Sequence, residues 1–150
     1  MAGGTAPHEF ERMIERSLER FGLQLVGFAG ERAATALAGD LNVLWVIGGS
    51  KARIPLTAPF DMVVIEQVMG RKTVAYYAMA RDRLGIFADL SGQREIDSVA
   101  LSLPVEGIAP RWPPASPLDR LQPLVMRCRV SESYLRRILA RAQEKDRAAC

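Results

Sequence analysis

Four prolines, Pro110, Pro113, Pro114 and Pro117, fall within the thirteen residues from Val105 to Pro117. Each removes a backbone donor and fixes φ, so such a stretch holds neither a helix nor a central strand. It reads as an extended, fairly stiff linker. The chain is thereby divided into a body, residues 1–104, a linker, 105–117, and a terminal segment, 118–150.

The body carries mixed signals that predict an α+β fold. Phe10, Met13, Ile14, Leu18 and Phe21 recur at spacings of three and four, which marks one face of a helix over His8–Phe21. Gly22 is a natural stop for it. Leu25–Ala38 is rich in alanine and therefore helix-prone, with Gly39-Asp40 closing it. Leu41–Ile47 reads as a strand or buried turn, Gly48-Gly49 breaks the chain, and Lys51–Leu56 reads as a short strand ending at Pro55. Met62–Met69, Gly70–Ala80, Gly85–Leu90 and the loosely alternating Ile96–Leu103 follow. Ala29–Ala38 can be laid over Met69–Ala78, each with a glycine opening, polar residues, then small and apolar ones. On that reading the body is two helix–turn–strand units, an internal repeat whose halves complete one core; chance similarity explains the match equally well. The apolar faces suit dimerisation of the body.

Charge is unevenly placed. Residues 117–150 hold eight Lys/Arg against four Asp/Glu, whereas the rest hold 12 against 13. A basic excess confined to one segment is what a polyanion binder shows, although a solvated basic helix gives the same count. Leu118–Cys128 can form a helix, Arg129-Val130 a break, and Ser131 an N-cap for a helix from Glu132 to Lys145. Leu135, Ile138, Leu139 and Ala142 share one face of that helix. This spacing predicts a helix-turn-helix in which Leu124, Cys128 and Val130 pack against Leu135 and Ile138. Ser131, Glu132, Ser133, Tyr134, Arg136 and Arg137 would then face the major groove, with Arg141 and Lys145 on phosphates. Val125 and Arg129 depart from the small residue and the glycine usual at the helix contact and turn. The competing reading is an amphipathic helix that docks on the chain's own core or on a protein partner.

Val130-Ser-Glu-Ser-Tyr-Leu-Arg-Arg-Ile-Leu139 resembles helix-turn-helix regulators, the AraC type among them. Together with Gly48-Gly-Ser-Lys-Ala-Arg-Ile-Pro55 and an N-terminal helical region, the chain resembles the Mor/C family of transcription activators of Mu-like phages. That resemblance covers about half the chain. It implies a dimer that binds a two-fold site on double-stranded DNA and recruits RNA polymerase.

Catalytic chemistry has little to stand on. His8 is the single histidine, and Cys128 and Cys150 form no CxxC pair, so neither a metal site nor a cofactor is expected. Gly48-Gly-Ser-Lys51 is too short for a phosphate loop and is followed too soon by Pro55; a tight turn is the better reading. Glu66, Asp82 and Asp89 have no evident acid–base partner. Met62, Met69, Met79, Tyr76, Tyr77 and Trp45 suit a core or dimer surface, and Trp112 an anchor for the linker. The first residues lack a signal-peptide pattern and no run spans a bilayer, so a cytoplasmic protein is expected. The expected function is a dimeric DNA-binding transcription regulator of a phage or mobile element. The alternative is an adaptor or inhibitor that uses its basic helix on a protein partner.

Overall fold

The structure is a computed structural model, and the residues it describes are 7–49, 52–81, 84, 92, 94–97 and 129–143. Helix α1 spans Pro7–Arg20. It is followed by β1 Gln24–Phe28, β2 Ala33–Ala38, β3 Leu41–Gly48, β4 Arg53–Pro55, β5 Met62–Met69, β6 Lys72–Ala80, β7 Glu95–Asp97 and β8 Arg129–Val130. Helix α2 spans Glu132–Gln143. Six strands form one sheet in the order β1-β2-β3-β5-β6-β8, and β4 pairs with β7 in a second, small sheet. Neighbours in the large sheet are antiparallel except β3 and β5, which run parallel.

This is a β-rich fold with two described helices, and it corrects the expected α+β arrangement of helix–turn–strand units ending in a helix-turn-helix. Leu25–Ala38 is the hairpin β1–β2, and Gly70–Ala80 belongs to the hairpin β5–β6. The stretches laid over one another are thus both strands entered through glycine turns. Alanine favours a helix only weakly, and pairing on both sides of β2 overrides that preference. A helix does form from Glu132, as expected, but its approach is different. Arg129 and Val130 pair with Tyr77 and Tyr76 as strand β8 rather than making a helix–helix turn. The expected first helix, with Leu124, Val125 and Cys128, lies outside the described residues, as do the 105–117 linker, Asp82, Asp89 and Trp112.

Period-two alternation sorts the sheet's residues to two faces. Ala34, Ala36, Ala38, Val43, Trp45, Ile47, Val64 and Ala78 face α1 and α2. Leu44, Val46, Val63, Ile65 and Met79 face the opposite side, beneath Ile54, Leu56, Phe60, Leu84 and Ile96. With both faces covered, β3 and β5 are near-continuous apolar runs, as strands buried on both faces require. The stripe of α2, Leu135, Ile138, Leu139 and Ala142, is buried on the sheet. Burying each of its Leu and Ile side chains is worth about 1.5–3 kcal/mol before entropy.

Two glycines hold the helix layer in place. α1 stops where Leu23 donates to Leu18 O (2.8 Å) across Gly22, whose φ is +71°. Gly39, at φ +63° in the β2–β3 turn, lies under the end of α2; a Cβ there would come within 2.7 Å of Ala142 O.

Candidate functional site

The residues expected to read DNA are brought to one helix but divided in role. Ser131 caps α2 by accepting from Tyr134 N (3.1 Å). Glu132 pairs with Arg20 (2.8 Å) at the end of α1 and with Arg136 (3.3 Å). Arg136 also donates to Arg20 O (3.1 Å) and stacks over Phe21, 4.9 Å from the ring centroid. Glu132 and Arg136 therefore clasp the two helices together. Both are well solvated, so each ion pair is worth little, about 0–1 kcal/mol. Tyr134 packs half-buried against the helix-side core with Arg137 over its ring. Ser133, Arg137 and Arg141 lie exposed on the outward face, and Lys145 is outside the described residues.

Between sheet and α1 lies a buried polar centre. Glu66, only 4% exposed, accepts hydrogen bonds from Ser17 (2.5 Å), Trp45 Nε1 (3.0 Å) and Thr73 (2.5 Å). Its carboxylate thus joins α1, β3 and β6. Phe21, Trp45 and Tyr76 stack beside it with ring centroids 5.3–6.4 Å apart. Burial pushes the Tyr76 phenol above its usual value, and the Glu66 and Glu132 carboxylates push it the same way. Sequence reading left Glu66 without a role because its partners lie 7, 21 and 49 residues away.

The two edges of the large sheet carry surfaces that the sequence reading missed. At one edge is β1. Leu25 (36% exposed), Val26 (61%) and Phe28 (41%) are three of the five exposed large apolar side chains among the described residues. Leu25 and Phe28 pair with Ala36 and Ala34, so they share the helix side of the sheet. The register slips between Leu25 and Gly27, leaving Val26 without a partner on β2. No described strand pairs with the outer side of β1. Hidden inside an alanine-rich stretch, Leu-Val-Gly-Phe held a β-branched and aromatic signal that pointed to a strand.

At the other edge, among the described residues, β8 covers only part of β6, opposite Tyr76 and Tyr77. A groove of about 730 Å³ runs past the uncovered part, beside the start of α2. Arg20, Arg71, Lys72 and Arg129 line it against a single acidic residue, Glu132. Arg71 pairs with Glu9 (2.5 Å), and Arg20 with Glu132. Lys72 and Arg129 make no ion pair among the described residues. The four cations come from α1, the β5–β6 turn, β6 and β8, so their convergence is invisible in sequence.

Among the described residues there is no cluster of three His, Cys, Asp or Glu side chains that could hold a metal ion. No described helix is long and apolar enough to cross a membrane. Compared with family models, with curated proteins and with solved structures, the chain matches none.

Proposed function

We propose that this chain is a protein-interaction module that works as a homodimer, two copies pairing antiparallel through β1. One observation carries the reading: β1 is an uncharged, apolar edge strand whose outer backbone groups meet no described strand. Edge strands of this kind pair with another chain unless guarded by lysine, proline, a short length or a β-bulge. Val26 stands where a guarding charge would be expected, and the register slip beside it is the one guard of this kind that β1 carries. A two-fold axis near Val26 brings β1 against its own copy with no like charges opposed, as an isologous interface requires. Pairing in this way makes one continuous sheet and leaves both basic grooves at its far ends for a partner.

Sedimentation or light scattering at micromolar concentration tests this. The wild type is expected to run as a dimer and Val26→Lys as a folded monomer. A monomeric wild type, or a Val26→Lys dimer of unchanged strength, overturns the reading.

A second reading rests on Ser133, Arg137 and Arg141, which recur every fourth residue on the outward face of α2. Such a row suits contacts to the phosphates of duplex DNA without any helix-turn-helix. It requires a mobility shift at about 50 mM salt that fades as salt rises and is lost on Arg137→Ala with Arg141→Ala. Absence of any shift with the wild type removes it.

A further inference from the structure

We propose that the groove beside the uncovered part of β6 binds an acidic peptide in extended form, which adds to the sheet in line with β8. The inference does not depend on dimerisation through β1, because the groove lies at the opposite edge.

The geometry favours a peptide over a simple anion. β8 pairs with β6 at Tyr76 and Tyr77 and then turns into α2 at Glu132. Residues 72–75 of β6 are left without a described neighbour on that side. These residues line the groove, and an edge of this kind offers the ladder on which an added strand is built. Val74, 43% exposed, gives an apolar contact within the same groove. Around this open edge stand Arg20, Arg71, Lys72 and Arg129, with Glu132 as the opposing charge. Lys72 and Arg129 are exposed and pair with no described carboxylate, so both suit an incoming one. Backbone pairing supplies the direction of the peptide, and the cations supply its preference for Asp and Glu.

Tyr76 and Thr73 also line the groove, but Tyr76 is buried in the core and the Thr73 hydroxyl is committed to Glu66. Recognition therefore falls to the cationic rim and the bare backbone.

A fluorescent synthetic peptide alternating Glu and Val is the probe, titrated into the full chain by anisotropy. Saturable binding is expected, weakening as salt rises from about 50 to about 500 mM. Lys72→Glu with Arg129→Glu should weaken it by about tenfold or more. Both residues are exposed, so an unchanged melting temperature confirms that the variant folds. The same peptide N-methylated at alternate amides keeps its charge but loses strand pairing, and it should bind about tenfold more weakly. Val26→Lys should bind the peptide as the wild type does, which separates this site from the dimer contact. Equal binding of the N-methylated peptide overturns strand addition. Binding unchanged in the charge-reversed variant, no binding by the wild type, or tighter binding of duplex DNA than of the peptide overturns the proposal as a whole.

Discussion

The two edges of the large sheet have the same backbone chemistry and opposite side chains. β1 presents Leu25, Val26 and Phe28 with no charge, while the β6–β8 edge presents Arg71, Lys72 and Arg129. An unpaired edge is an invitation to any strand, so the side chains around it decide what is admitted. Under the proposal, lysine and arginine at β6 disfavour a second basic copy and favour acidic strands. The neutral edge at β1 turns away nothing on charge and is best satisfied by an identical neutral strand. On the proposed reading, the contrast lets one sheet dimerise at one side without polymerising through the other.

Three measurements break or sharpen this contrast. The largest effect is expected from Glu66→Ala, because Ser17, Trp45 and Thr73 lose their shared acceptor in the core. Leaving such donors unpaired costs about 3 kcal/mol in denaturant unfolding. Thr73 lies on the β6 side, so peptide binding should suffer before dimerisation does. A loss under about 1 kcal/mol would show that the network contributes little. Next is Gly39→Ala, which meets both a positive φ and Ala142 O at 2.7 Å. About 2 kcal/mol of stability should go. Amide exchange should quicken first in α2, which flanks the basic groove, while β1 stays protected; equal loss at both edges would unite them in one cooperative unit.

The smallest effect concerns alkaline pH. The folded Tyr76 phenol titrates above its unfolded value of 10.0, so the folded state holds its proton longer. Stability from this source is complete below pH 10 and falls as pH rises from there through the folded value. Tyr76→Phe should remove that alkaline decline while leaving dimerisation through β1 intact at neutral pH. An identical alkaline profile in the variant would show that another group controls it.

Much of the helix layer was legible in the sequence. The Phe10–Phe21 stripe and the Gly22 stop became α1, and Ser131 with its apolar face became α2. Leu41–Ile47, legible as a strand or buried turn, lies in β3, and the short strand read over 51–56 with its stop at Pro55 contains β4. What the pattern of Leu135, Ile138, Leu139 and Ala142 could not convey was the surface it met. A helical apolar stripe fits a sheet as well as a second helix, and the sheet was there to receive it. Ala33–Ala38 misled for the same reason: its alanines sit in a strand because helices must come close above them. The basic excess of residues 117–150 misled differently. In space Glu9, Glu11, Glu15 and Glu19 of α1 stand in the same helix layer, and Glu132 is drawn into pairs with Arg20 and Arg136. Neither edge surface was legible, since each is defined by which strands fail to have neighbours.

The helix layer closes with residues far apart in the chain: Ile14 and Leu18 near its start, Leu135 and Ile138 more than a hundred residues later. During synthesis the meander β1–β2–β3 and the hairpin β5–β6 are complete long before α2 exists. Until Ala142 reaches Gly39, part of that alanine-lined face has no cover. A nascent chain therefore carries an apolar surface that the finished protein covers, and such surfaces aggregate or are held by chaperones. Slow, long-range closure is the kinetic counterpart of this topology. Truncation before residue 132 leaves the chain fixed in that incomplete state.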